Sequence, residues 1–166
     1  MSAIPAPHEA ARTAGLEDIP AVLPLAEAAA AELRDQKGGA VWWRRERRQG
    51  DLAEALRSAL AAPDHEVVVG TLDGTAIGYA VARTERLADG GLLGVLEDIY
   101  VDPGARAVGV GEALMDHVLA WARDQGCFGV DSLALPGDRA TKNFFESFGL
   151  VARAIVVHRR FDAPSA

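Results

Sequence analysis

Apolar and polar positions change rhythm twice along this chain. The first third is helical in texture. After a candidate strand at His8–Arg12, Asp18 stands as an N-cap with Pro20 in the first turn, and an alanine-rich helix runs to Gln36 before Gly38-Gly39 stop it. A second helix follows Gly50, capped by Asp51, with Leu52, Ala55, Leu56 and Ala59 on one face, and ends before Pro63. Then the pattern becomes β-like. Glu66–Leu72 and Thr75–Glu85 are β-branched apolar runs joined by Asp73-Gly74, a two-residue hairpin signal. A third strand, Leu93–Val101, follows a Gly90-Gly91 loop and closes at Asp102-Pro103-Gly104. The helical period returns between Gly109 and Gln125, where Val110, Ala113, Leu114, Val118 and Trp121 share a face. A strand at Phe128–Leu135, a helix at Arg139–Phe148 and a last strand at Val151–Phe161 complete the reading. The expected order is β-α-α-β-β-β-α-β-α-β: one mixed α/β domain over residues 1–166, with a loose start at residues 1–7.

Composition narrows the functional classes. The 166 residues carry 17 Lys+Arg against 24 Asp+Glu, for a net charge of −7, which argues against general attraction to nucleic acid or anionic lipid. A single cysteine, Cys127, excludes a disulfide framework and any multi-cysteine metal site. The four histidines are scattered without metal-ligand spacing, so no metal is expected. The alanine run at Ala28–Ala31 is far short of the roughly 18 apolar residues a membrane helix needs, and residues 1–15 lack the apolar core of a secretory signal. A cytoplasmic protein is the expectation.

Chemistry concentrates at the end of the third strand. Val101-Asp102-Pro103-Gly104-Ala105-Arg106-Ala107-Val108-Gly109-Val110-Gly111-Glu112 runs from a strand through a loop into a helix that opens on two glycines. A helix start offers unpaired N–H groups and partial positive charge to phosphate oxygens, and Arg106 adds a full charge. A Walker-type loop fails because position 112 is glutamate. A dinucleotide fingerprint fails because Leu114 stands where a small residue is needed. The spacing Arg/Gln-x-x-Gly-x-Gly/Ala is met by Arg106, Gly109 and Gly111.

That segment resembles the acetyl-CoA signature of the GNAT N-acetyltransferase family. The likeness extends to Glu97-Asp98-Ile99-Tyr100-Val101, similar to the family's bulged fourth strand, and to Asn143–Leu150, similar to its fourth helix and following turn. The resemblance implies the GNAT fold, a mostly antiparallel mixed sheet flanked by helices, and transfer of an acetyl group from acetyl-CoA to a primary amine by direct attack in a ternary complex. It further implies that backbone groups of Ile99, Tyr100 and Val101 pair with the pantetheine arm, and that amides from Ala107, Val108, Gly109, Val110, Gly111 and Glu112 hold the pyrophosphate. Thr141, Phe144 and Phe145 would flank the arm. Glu97, where family members often carry a water-linked carboxylate, is the candidate general base. Its competing reading is a strand carboxylate paired with Arg83. Strict alternation would put Glu97 on one face with Ile99 and Val101, and Asp98 on the other unless a bulge re-aims it.

Two departures from the family pattern stand out. Phe145 replaces the usual acid tyrosine, leaving water, Tyr79 or His158 to supply a proton, and Asp138 replaces an asparagine that contacts the cofactor. Phe145 also motivates a second reading, an acyl-CoA-binding sensor with little turnover. Trp42-Trp43-Arg44-Arg45-Glu46-Arg47-Arg48 falls where the family places its acceptor loop. It carries +3, leaving −10 for the rest. Trp42 and Trp43 either line an acceptor pocket or cover the core, and the arginines are read as facing water. The acceptor would be a small-molecule or peptide amine, and the family's habits add a possible homodimer.

Overall fold

In the computed structural model, which describes residues 7–106 and 108–161, Asp73 (φ 48°) and Gly74 (φ 80°) both adopt left-handed backbone and join two long strands as a tight hairpin. These are β2 (His65–Leu72) and β3 (Thr75–Arg86); β1 (Glu9–Thr13) pairs antiparallel outside β2, and β4 (Leu92–Val101) antiparallel outside β3. The short β5 (Val130–Ser132) lies parallel to β4, giving the order β1-β2-β3-β4-β5 among the described residues. A parallel neighbour needs a crossover, here made by helix α4 (Val110–Asp124).

The helices α1 (Ile19–Arg34), α2 (Gly39–Arg45) and α3 (Leu52–Ala61) come before the hairpin, and α5 (Arg139–Ser147) follows β5. β2 and β3 are covered on both faces, which is why they read as nearly continuous apolar runs. Val67, Val69, Tyr79 and Val81 pack with Val22, Ala26 and Leu56 of α1 and α3. Val68, Ala80 and Ala82 point the other way, onto Val110, Leu114, Met115 and Val118 of α4 and Phe145 of α5. The period of two thus sorts one strand into two cores.

Several expectations need adjustment. Asp18 precedes α1 as expected, yet its carboxylate makes no cap bond. It accepts instead from Arg12 at 2.7 and 2.8 Å and from the Gly15 amide at 2.8 Å. The arginine guanidinium holds Asp18 below the usual carboxylate range, against the effect of its burial. The Trp-Arg segment forms a third, short helix, α2. The strand expected at Phe128–Leu135 shortens to three residues. The last expected strand is missing: residues 151–161 are exposed and form no ladder. Of residues 1–7 only Pro7 lies within the described residues, and Ala107 also falls outside them. Among the described residues no helix is long and apolar enough to cross a membrane, and no cluster could hold a metal ion.

Candidate active site

β4 and β5 are paired only at Gly94↔Val130, Val95↔Asp131 and Leu96↔Ser132, where Ser132 Oγ donates to the Leu96 carbonyl at 3.1 Å. Beyond that point β4 continues from Glu97 to Val101 on β3 alone, and its other edge, past the end of β5, is left without a ladder partner as an open wedge. The Val101 carbonyl turns into this open side and accepts from Arg106 Nε at 3.0 Å, while the next amide, of Asp102, donates to Ile77 of β3 at 2.8 Å. The strand period therefore turns the backbone groups of Ile99 outward with those of Val101, and those of Tyr100 toward β3. The free edge belongs to Ile99 and Val101. Tyr100 offers its ring instead, beneath the Arg106 guanidinium at 5.2 Å.

The far end of the wedge meets the start of α4. Gly109 has φ 87°, a conformation that any side chain would strain. The first helical bond, Ala113 N to the Gly109 carbonyl at 3.0 Å, leaves the amides of Val110, Gly111 and Glu112 without helical acceptors. Val110 buries its side chain in the core and half-buried Val108 precedes it, so both offer only backbone to a ligand. A Cβ at Gly111 would sit 3.4 Å from the Phe144 ring, so the glycine lets α5 close on α4. Arg106 reaches back to Glu32 of α1 at 3.0 Å, and the exposed Glu9 side chain stands beside Gly109.

On α5, Asp138 accepts from the Thr141 amide at 2.9 Å and from its hydroxyl, which caps the helix. These bonds hold Asp138 below the usual carboxylate range although burial acts the other way. Phe144 is half-buried between Phe145 and Phe148, with ring centroids at 5.9 and 5.2 Å. Phe145 is buried in the α4-side core and bears no hydroxyl.

The polar end of the site departs from strict alternation. Asp98 pairs with Val81 and Leu96 with Ala82, which leaves Glu97 as the extra residue of a bulge. Leu96, Ile99 and Val101 therefore share the α4-side core, whereas Glu97 turns with Asp98 toward Arg48. The expectation that Glu97 shares a face with Ile99 and Val101 is corrected by that bulge. Glu97 accepts from Arg83 Nε at 2.8 Å and from Arg48 at 2.6 Å, so both its oxygens are engaged. Arg48 also binds Asp98, whose side chain is only 17% exposed. Burial lifts the Asp98 carboxyl above its ordinary range, with the neighbouring Glu97 charge adding to the lift and Arg48 opposing it. Tyr79, 1% exposed, is pushed well above the usual phenol range by its burial and then by Asp98, so it stays protonated.

Asp98, Tyr79, Arg47, Arg48 and Trp42 line one small cavity of about 30 Å³ between α1, the α2 segment and β3–β4. Trp42 is buried there, while Trp43 is packed between Arg47 at 4.0 Å and Arg34 at 5.4 Å. Arg44 and Arg45 face water as expected; Arg47 and Arg48 do not. Arg48 was hidden from the sequence because a run of arginines carries no periodic cue to which one turns inward. Burial also pushes the Cys127 thiol up, away from nucleophilic character.

The model of the acetyltransferase (GNAT) family matches residues 27–150, which span the wedge, the α4 opening and the Arg48 network. The chain belongs to the GNAT family. Within that family it is 37% identical over 82 residues to the aminoglycoside N(6')-acetyltransferase type 1 of Klebsiella aerogenes and, equally, to that of Stenotrophomonas maltophilia. The Klebsiella match covers 48% of this chain, and the chain spans about half the length of both relatives (54%). In fold it is similar to the aminoglycoside N-acetyltransferase AAC(6')-Iy in complex with CoA, with a TM-score of 0.73, 21% identity, and 95% of this chain and 97% of that one covered. A putative acetyltransferase from Agrobacterium tumefaciens aligns at a TM-score of 0.68 and 23% identity, over 92% of this chain and 99% of that one.

This GNAT chain has the parts that the family's acetyl-CoA would need. An unpaired strand edge at Ile99 and Val101 suits the amide-bearing pantetheine arm, and the glycine opening of α4 suits the phosphates. The Arg106–Glu32 pair is roughly half-exposed at both ends. Such pairs are worth only about 0–1 kcal/mol, so Arg106 can turn to a phosphate at little cost.

Proposed function

We infer that this protein is an acetyl-CoA-dependent N-acetyltransferase that transfers the acetyl group directly to a primary amine of a cationic small molecule. The observation that carries the reading is the unpaired outer edge of β4 beyond Leu96, between two chemically distinct ends: the glycine-opened helix on one side and the Arg48–Glu97–Asp98 network on the other. Acetyl-CoA supplies an acetyl group activated as a thioester. The chain's own residues do the rest. Ile99 and Val101 align the arm along β4, Tyr100 and Phe144 flank it, and Arg106 with the amides from Val108 to Glu112, at and before the start of α4, holds phosphate.

An ammonium must lose a proton before it can attack, and the carboxylate pair at the bulge is the base in this reading. Asp98 is the better proton acceptor of the two, because its burial raises its basicity while both oxygens of Glu97 are held by Arg83 and Arg48. Glu97 then positions Arg48. Trp42 borders the same cavity and Trp43 fixes the loop above it. Phe145 has no proton to give, so proton delivery to the leaving side falls to solvent. A raised Cys127 thiol, remote from these residues, favours direct attack over an acyl-enzyme. The aminoglycoside acetyltransferases among the relatives, together with the acidic body, favour a polyamine sugar as acceptor.

The test is to incubate the protein with acetyl-CoA and a panel of amines that includes aminoglycosides, small polyamines and a lysine peptide, while free thiol is followed. Amine-dependent thiol release, greatest with an aminoglycoside, is the expected result. Saturable acetyl-CoA binding with no release across the panel would overturn it and favour the sensor reading that Phe145 suggests.

A further inference from the structure

The phosphate-facing end of the site already holds negative charge of its own. Arg106 is gripped at two nitrogens by Glu32 of α1, with Nη2 donating to Oε2 at 3.0 Å and Nη1 to Oε1 at 3.4 Å. The room that Gly109 leaves by lacking a side chain is filled by Glu9 of β1. A Cβ at that glycine would lie 3.1 Å from Glu9 Cγ and 3.3 Å from its Oε1. Glu9 and Ala11 share a face of β1, and Ala11 packs against the α4-side core, so the strand period sets Glu9 beside the opening of α4. Both glutamates are exposed and free to reach into water. Each carboxylate lies instead on a positive feature of the cradle, one on the guanidinium and one at the helix start.

We propose that Glu9 and Glu32 are internal stand-ins for the phosphates of CoA. In the empty protein they occupy the Gly109 clearing and the Arg106 guanidinium, and both are turned out when the diphosphate enters. They thereby set how tightly the cosubstrate is held and how readily spent CoA leaves. This rests on the reading of the α4 opening as the CoA phosphate site. The exchange is matched in charge, because a diphosphate diester brings one negative charge on each phosphate in place of one on each carboxylate. It needs only side-chain rotation, since both glutamates are exposed.

The loop itself does not depend on either glutamate. Asp102 braces it from within by accepting from the Gly104 amide at 2.8 Å, and Arg106 Nε stays on the Val101 carbonyl at 3.0 Å. Glu9 and Glu32 arrive from other elements, β1 and α1, and touch only the parts that would meet phosphate. The sign of their effect separates this role from a structural one. A brace strengthens the site, so its removal weakens CoA binding. A competitor occupies the site, so its removal tightens CoA binding. Each contact is exposed and weak, so each gain is modest.

Calorimetric titration of the full chain with CoA at low ionic strength tests this without reference to turnover. Glu9→Gln and Glu32→Gln should each lower the Kd about threefold, and the double variant about tenfold. Pantetheine, which lacks the diphosphate, should bind all forms alike. Glu32→Asp keeps the charge but is one methylene too short for the guanidinium, and it should tighten CoA as Glu32→Gln does. Melting of the empty variants should fall by about 1–2 °C, while melting of the CoA-saturated forms stays at the wild-type value. Weaker or unchanged CoA binding in either Gln variant would overturn the paired exchange. So would a gain in Glu32→Gln that Glu32→Asp does not share, which would reduce the effect to repulsion at a distance, or an equal gain for pantetheine. A wild-type protein and variants that all fail to bind CoA would instead overturn the phosphate-site reading beneath the proposal, and the proposal with it.

Discussion

The two faces of β4 make an instructive contrast. Toward α4, Leu96, Ile99 and Val101 meet Leu114, Met115 and Val118 in an apolar layer. Toward α1 and the α2 segment, Glu97, Asp98 and Arg48 crowd together beside the buried phenol of Tyr79. One strand, ten residues long, thus carries a face that stabilises the fold and a face whose burial of charge opposes it. Their separation teaches that a site can be installed on a structural strand without touching the core behind it, provided the backbone slips by one residue between them.

Substitutions on each side test that separation. The largest effect is expected from Asp98→Asn, which should lower kcat/KM about 10²–10⁴-fold in a thiol-release assay while the protein stays folded. Asp98 accepts a proton only when ionised, and burial keeps its carboxyl above the usual range. The acidic limb of the wild-type profile should therefore fall at a pH above that range, and it should be missing from the residual activity of the variant. Wild-type activity in Asp98→Asn would remove the residue from the reaction. Next comes the apolar side: Leu114→Ala, at a fully buried position, should cost about 3 kcal/mol in urea unfolding and leave kcat per folded molecule unchanged. A loss of kcat with unaltered stability would show that the faces are not independent. The smallest effect belongs to Glu97→Gln, which keeps the shape but weakens two partly buried ion pairs. About a fivefold fall in kcat, equivalent to about 1 kcal/mol, is expected, with KM for acetyl-CoA unchanged. A fall as deep as that of Asp98→Asn would make Glu97 the base instead.

Much of this architecture was legible in advance where a local rule is strong. The hairpin at Asp73-Gly74 and the cap at Asp51, which accepts from the Glu54 amide at 2.8 Å, follow from short-range chemistry, as does the glycine opening of α4. The slip at Glu97 was not readable, because a bulge is a mismatch between two strands and neither strand carries it alone. Arg48 is inside for a similar reason: its partners lie 49 and 50 residues away. Val151–Phe161 has a strand's composition, but composition cannot say which edge, or whose, it will join. The bulge moves Glu97, which joins Asp98 on the face that strict alternation already gives Asp98.

Glu97 has no opposite number on β3, so it is the one residue of β4 that the sheet does not require. With it removed, Leu96, Asp98, Ile99 and Tyr100 would fall back into strict in-out succession and every ladder pair would survive. The acidic pair beneath Arg48 can therefore be gained or lost through a single in-frame codon. Such an event would alter the charge on one side of the wedge and leave the hydrophobic grammar of the strand intact. A lineage carrying this fold could pass between a one-carboxylate and a two-carboxylate site in one genetic step.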